Sequence, residues 1–65
     1  MDFVYIYFYG SDWEDTIIFL LEEDAIKESI DNPTHRIEIF SKKNNTCGYT
    51  PTYNYYMNGK LIQCQ

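Results

Sequence analysis

The first apolar segment of the chain, residues 3–9, reads FVYIYFY and contains only β-branched and aromatic residues. These residue types favour strands, and the Gly10-Ser11-Asp12 that follows is typical of a turn. We therefore predict a first strand over residues 3–9. Alternate side chains of a strand point to opposite faces, so neither face of this strand is polar. One face carries an aromatic row of Phe3, Tyr5, Tyr7 and Tyr9, and the other carries Val4, Ile6 and Phe8.

A second apolar run and a helix follow the turn. Residues 13–20 (WEDTIIFL) predict a strand, and the short turn before them suggests a hairpin with the first strand. Residues 22–24 are acidic, which suits the positive end of a helix dipole, and apolar residues then recur at helical spacing until Asn32-Pro33. The pattern predicts a single helix over about residues 22–31.

The third predicted strand, residues 35–42, alternates in polarity. Ile37 and Ile39 are expected to face inward while Arg36 and Glu38 face outward, as in a sheet with one wet face. The polar residues that follow predict a loop up to Gly48.

A fourth and a fifth strand complete the pattern. Residues 49–57 form the fourth, and Pro51 should place it at a sheet edge or at a bulge because proline has no N–H for the ladder. Asn58-Gly59 indicates a type I′ hairpin turn, in which both central residues need positive φ. A fifth strand then closes the sequence from Lys60.

This order, ββαβββ, predicts one α+β domain over residues 1–65, with a small antiparallel sheet of about five strands and one helix packed on one face. A ten-residue helix covers only one face of part of such a sheet. The other face must be wet or covered by a partner. A chain of 65 residues buries only about 60% of its unfolded surface, so self-association would add burial that the monomer lacks.

Composition and charge narrow the expected partners. Aromatic residues make up 18% of the chain, which argues against disorder, and the net charge of −5 repels a phosphate backbone. Nucleic acid is therefore not an expected partner. No apolar stretch approaches the ~20 residues that cross a bilayer, and no basic segment precedes an apolar run at Met1, so we expect an intracellular protein without a membrane association.

The residues that usually carry chemistry are few and scattered. His35 is the only histidine, and Cys47 and Cys64 are 17 positions apart with no paired Cys-x-x-Cys, so neither a metal site nor a cysteine nucleophile is predicted. We expect both cysteines to be reduced thiols, with a disulfide as the alternative in an oxidising environment. No glycine-rich phosphate loop is present either. The sequence predicts no enzyme and no cofactor.

The aromatic residues are the remaining candidates for function. They could form a second core layer, or a subunit interface, where tyrosine offers rigid area with a polar tip. Stacking of bases is disfavoured because no basic groove accompanies them. We favour a non-enzymatic, self-associating protein, with an acidic module that captures another protein as the alternative. The predicted interface residues are Phe3, Tyr5, Tyr7, Tyr9, Tyr53 and Tyr55.

Four segments carry a resemblance to a group of viral proteins. They are residues 14–20 (EDTIIFL), 25–30 (AIKESI), 36–40 (RIEIF) and 49–59 (YTPTYNYYMNG). In these segments and in its Asn-, Ile- and Tyr-rich style, the chain resembles short uncharacterised proteins of amoeba-infecting giant DNA viruses. The resemblance implies a viral setting in a host cytoplasm and suggests a packaged virion protein. It brings no catalytic motif and so assigns no site residue.

Overall fold

The computed structural model describes residues 2–63, which form five strands and one helix. In chain order these elements are β1 (Phe3–Phe8), β2 (Thr16–Phe19), α1 (Glu22–Asp31), β3 (Ile37–Lys42), β4 (Tyr49–Met57) and β5 (Lys60–Ile62). Each element lies within a segment that the sequence predicts. The second strand is shorter than predicted, because residues 13–15 belong to the connection before it.

The five strands form one antiparallel sheet in the order β2-β1-β3-β4-β5, and α1 packs across one face of it. This arrangement confirms the predicted α+β class and the order ββαβββ. The central strand is β3, whose neighbours β1 and β4 come from opposite sides of the helix in the chain. Much of the sheet therefore depends on contacts between residues far apart in sequence.

The strand register assigns the side chains to two faces, because residues directly opposite each other share a face. Tyr5 lies opposite Phe19 and Ile39, and Tyr7 lies opposite Ile17 and Ile37. We call this side, which α1 covers, the helix face. The opposite side, the open face, carries Val4, Ile6, Phe8, Thr16, Ile18, Glu38, Phe40, Lys42, Tyr49, Pro51, Tyr55, Met57, Lys60 and Ile62.

The hydrophobic core lies between the helix face and α1. It consists of Tyr5, Tyr7, Ala25, Ile37, Ile39 and Tyr56, with Phe19 and Ile26 packed against it. Ala25 is fully buried, and its small side chain leaves room for the large tyrosine rings beneath the helix. The prediction that Ile37 and Ile39 face inward is confirmed.

The aromatic row of β1 therefore belongs to the helix face, where Tyr5 and Tyr7 are buried. The prediction that these two tyrosines belong to a subunit interface is wrong, because both lie in the core. The physical reason is the length of the tyrosine side chain. The rings of Tyr5 and Tyr7 fill the space below α1, and the Tyr7 hydroxyl reaches His35 beyond the end of the helix, which the shorter Val4 and Ile6 could not do.

Ser29 joins the helix to the β4–β5 turn. Its buried Oγ donates a hydrogen bond to the Ile26 carbonyl oxygen at 2.7 Å and accepts one from the Gly59 N–H at 2.9 Å. Asn58 and Gly59 have φ values of 52° and 76°, the positive values that the predicted type I′ turn requires. A Cβ at Gly59 would lie 2.9 Å from Cγ1 of Ile30, so the turn packs closely on the helix.

The prediction that Pro51 lies at a sheet edge or at a bulge is also confirmed, because a bulge begins directly after it. Residues 52–54 of β4 lie opposite the single residue Ile39, and Tyr53 has a φ of 67° within this irregularity. The Thr52 hydroxyl donates to the Ile39 carbonyl oxygen at 2.8 Å. Because β5 pairs only with Tyr55–Met57, Pro51 lies outside the part of β4 that has β5 as a neighbour.

The β1–β2 connection is longer than the short turn predicted from the sequence. It spans seven residues, 9–15, and is closed by a hydrogen bond from the Tyr9 N–H to the Asp15 carbonyl oxygen. The Asp15 side chain packs on Gly10 so closely that a Cβ there would lie 2.7 Å from the Asp15 Cβ. Trp13, counted in the second apolar run, is exposed in this connection.

Candidate functional site

The structure separates the six predicted interface residues. Tyr5 and Tyr7 lie in the core. Phe3 lies on the helix face near its edge and is half-exposed, and Tyr9 follows β1, with its ring centroid 5.8 Å from that of Tyr7. Tyr53 is exposed at the β4 bulge, and Tyr55 belongs to the open face. The six residues therefore do not form one surface.

The open face is the side of the sheet that α1 leaves uncovered. Phe8, Ile18 and Ile62 are exposed there, while Ile6, Phe40, Tyr55 and Met57 are partly buried. These apolar side chains come from all five strands and lie on neighbouring strands in register. Isolated exposed apolar residues are common on proteins, but a continuous apolar surface is typical of an interaction site.

The open face also carries charged residues, namely Lys42 on β3, Lys60 on β5, and Glu38 with the neighbouring Arg36. Glu38 is the only acidic residue in the five described strands, and its Oε2 accepts a hydrogen bond from Nε of Arg36 at 2.7 Å. The Arg36 guanidinium also lies 3.9 Å from the centroid of the Tyr55 ring, in a cation–π contact. The carboxylate and the guanidinium thus neutralise each other above an aromatic ring.

Two tyrosine hydroxyls of the helix face have polar partners. The Tyr7 hydroxyl lies 2.5 Å from Nδ1 of His35, and the Tyr56 hydroxyl donates to Oε2 of Glu22 at 2.5 Å. Because these partners flank the two ends of α1, they satisfy the buried hydroxyls without placing a charge inside the core. His35, expected only to begin a strand, thus has a structural role beside Tyr7.

The environment of Tyr56 changes its acidity. Burial raises the pKa of this hydroxyl to about 12, and the hydrogen bond to Glu22, the charge of Glu22 and the nearby Tyr5 act in the same direction. Burial and the Glu22 charge also raise the pKa of Tyr5. Both groups are neutral at physiological pH, so they act here as hydrogen-bonding and packing groups.

We expect stability to fall at high pH because of Tyr56. Its pKa is raised above the unfolded value of 10.0, so its contribution is fully present below pH 10 and is lost as the pH rises to about 12. The loss is at most roughly 3 kcal/mol. Urea unfolding across this range measures it. Tyr56→Phe is the control, because this variant lacks the titrating hydroxyl, and an equally steep pH dependence in Tyr56→Phe would contradict the assignment.

A groove lies on the helix face beside the N-terminal end of α1. Its volume is about 200 Å³, and it is open to solvent. Five elements contribute to it: β1, α1, β3, β4 and β5. Its lining residues are Phe3, Tyr5, Glu22, Ile39, Thr52, Asn54, Tyr56 and Leu61.

A second, shallower depression of about 620 Å³ surrounds the polar β3–β4 loop and includes Lys42, Lys43 and the exposed Cys47. Phe3 also lines it, whereas His35 contacts Tyr7, four residues and about 13 Å further along β1. Cys47 and His35 therefore do not form a nucleophile and base pair. Cys64, the other predicted thiol, lies outside the described residues.

The described residues contain no cluster of three or more His, Cys, Asp and Glu side chains that could hold a metal ion. Within residues 2–63, no helix has the length and hydropathy that crossing a bilayer requires.

Comparison with protein-family models, with curated proteins and with solved structures finds no match to this chain. The resemblance to giant-virus proteins therefore stays a prediction.

Most residues of the open face are absent from the predicted interface. They come from the face of β1 opposite the tyrosines and from the neighbouring strands. Ile6 and Phe8 lie on the open face together with Ile18 from β2 and Met57 from β4. One signal in the sequence could have identified them. The sequence predicts that Ile37 faces inward. If β1 and β3 pair so that Tyr7 lies opposite Ile37, Tyr7 also faces inward. The next residue, Phe8, then faces the open side.

Proposed function

We propose that this chain is a non-enzymatic protein that associates with a second copy of itself through the open face. The observation that supports this proposal is the apolar composition of the open face across all five strands, while the single helix covers only the opposite side. A second copy would turn the half-covered sheet into the inner layer of a sandwich. The interface thus differs from the predicted one, with Tyr55 as the shared residue.

The size of the open face is compatible with a weak dimer. The five strands contain 28 residues, which at about 3.3 Å per residue and about 4.8 Å between strands offer about 440 Å² per copy. Two copies would then bury about 900 Å², which is at the low end for protein interfaces. We therefore expect a dimer that dissociates on dilution.

The charge distribution also fits a twofold arrangement. The acids of α1 lie on the far side of each sheet, so in a face-to-face pair they are more than about 20 Å apart, well beyond the Debye length of about 8 Å at physiological salt. A twofold axis places identical surfaces together. Arg36 of one copy could then lie near Glu38 of the other, which would favour the pairing.

Light scattering coupled to size-exclusion chromatography tests the proposal. We expect the wild-type mass to approach twice the chain mass of 7.8 kDa at high concentration. Ile18→Glu should shift the mass to that of the monomer, because an unpaired carboxylate buried between two copies costs several kcal/mol. Ile18 is 58% exposed in the single chain, so the substitution should leave the fold intact.

Trp13→Glu is the matched control. It introduces the same charge at an apolar residue that is even more exposed, at 84%, but that lies in the β1–β2 connection and not on the open face. This variant should remain dimeric. A wild-type chain that is monomeric at every concentration would refute the proposal. Equal loss of the dimer in both variants would show that the change in net charge, and not its position on the open face, causes the loss.

The resemblance to giant-virus proteins supports an extension of this proposal. In that setting the self-associating chain would be a structural or packaged component of a virion formed in the host cytoplasm. Mass spectrometry of purified particles from such viruses tests this extension, and absence of the chain from the particles would reject it while leaving the dimer itself untouched.

A further inference from the structure

The groove beside α1 has aromatic walls and one charged group. Phe3, Tyr5 and Tyr56 supply rings, and Leu61 closes the side formed by β5. Glu22 and Asn54 supply polar atoms at the same groove. Glu22 is the only charged residue that lines it, so the groove combines an apolar interior with a single negative charge.

The Glu22 carboxylate retains capacity to bind a further donor. A carboxylate has about four lone-pair sites, and the Tyr56 hydroxyl uses one of them at Oε2. This hydrogen bond also fixes the carboxylate against the aromatic wall. A donor entering the groove would therefore meet an acceptor whose position is already set.

The electrostatic potential at the groove favours a cation. The N-terminal end of a helix carries about half a positive charge, which would repel a cation. Glu22, Glu23 and Asp24 stand in the first turn and outweigh that half charge. The net charge of −5 acts in the same direction and disfavours phosphate or carboxylate ligands.

The volume limits the size of the ligand. Pockets for drug-sized molecules and cofactors measure about 300–1,000 Å³, whereas this groove measures about 200 Å³. One extended side chain fits such a space. Its methylene groups can pack on the rings, and a cation beside tyrosine faces gains further attraction.

We propose that this groove binds a lysine side chain presented on the surface of another protein. The ammonium group would donate to the Glu22 carboxylate while the stem lies between the rings of Phe3 and Tyr56. Lysine suits this groove because its ammonium is a compact charge on a flexible stem and needs only one acceptor atom, whereas a guanidinium is larger and prefers a two-pronged contact. The groove is on the helix face, so this binding is independent of self-association through the open face.

A titration followed by NMR of the full chain tests this proposal with Nα-acetyl-lysine methylamide as the probe. We expect saturable shifts at the amides of Glu22, Asn54 and Leu61, with a dissociation constant of about 1–10 mM, as befits a single side chain. The same probe acetylated at Nζ lacks the charge and should bind at least about tenfold more weakly.

Glu22→Gln should weaken binding of the lysine probe at least about fivefold, because the amide keeps the acceptor for Tyr56 but loses the charge. Glu14→Gln, which makes the same charge change in the β1–β2 connection and away from the groove, should alter affinity less than about twofold. Repeating the titration on Ile18→Glu separates the groove from the dimer. Absence of saturation, equal binding of the acetylated probe, or equal losses in the two glutamine variants would each overturn the proposal.

Discussion

Tyr7→Glu is expected to unfold the domain. Tyr7 is only 5% exposed, and its ring belongs to the core beneath α1. A carboxylate at this position would lose its water without gaining a cationic partner in the core, at a cost of several kcal/mol in addition to the lost packing. A domain of 65 residues has a total stability of only about 3–10 kcal/mol. Circular dichroism and the dispersion of NMR amide signals measure the outcome.

The neighbouring residue provides the control. Phe8 is 50% exposed on the open face, so Phe8→Glu should remain folded and, if the proposed dimer forms there, should become monomeric. The two substitutions differ by one position and by the face of the sheet that they enter. A folded Tyr7→Glu together with an unfolded Phe8→Glu would show that the helix covers the opposite face.

The assignment of faces in β1 is the main point at which reasoning from the sequence alone fails. Both faces of this strand are apolar, so alternation indicates two sets of side chains without indicating which set the helix covers. In β3 the polar Glu38 removes that ambiguity, and Ile37 and Ile39 are correctly predicted to face inward. The pairing of β1 with β3 then shows which face of β1 is inward. That pairing depends on contacts between residues about 30 positions apart.

Local signals predict other parts of the fold well. The acidic residues at its start and the Asn32-Pro33 at its end give the bounds of α1, and Asn58-Gly59 specifies the last hairpin. Each of these features depends on residues that are close together in the sequence. The β1–β2 connection is different, because its length is set by the packing of Asp15 on Gly10 and by the hydrogen bond that closes it.

The groove could not be predicted from the sequence for a similar reason. Phe3, Glu22, Asn54 and Leu61 are spread over almost the whole chain and meet only when four elements assemble. The sequence predicts Glu22 only as an acidic residue at the start of the helix, and the structure confirms that position. Its additional contact with Tyr56 joins residues 34 positions apart.

The helix face and the open face now explain why β1 is apolar on both sides. One side supplies Tyr5 and Tyr7, whose rings fill the core, and the Tyr7 hydroxyl lies beside His35, which follows the end of α1. The other supplies aliphatic and aromatic side chains to a surface without a cover in the single chain. Tyrosine is thus used here mainly for folding, while the candidate interface is built largely from Ile, Phe and Met.

Ile37→Ala should produce the largest loss of stability among substitutions that delete only apolar atoms. Ile37 is 0% exposed on the central strand β3, where it lies opposite Tyr7 on one side and Tyr56 on the other. Deleting its side chain leaves a cavity that two large rings cannot easily fill, and such changes cost about 2–5 kcal/mol. Because this is a large part of about 3–10 kcal/mol, the variant should be partly or wholly unfolded at 25 °C.

Urea unfolding measures this loss, with all proteins at one concentration because a dimer makes apparent stability depend on concentration. Ile30→Ala is the matched control, since it removes the same atoms from a residue that is 54% exposed on α1 and replaces them with the best helix former. Its cost should stay below about 1 kcal/mol. Similar losses at Ile37 and Ile30 would mean that the region between β3 and the helix is not the centre of the core, and the assignment of the helix face would then have to be revised.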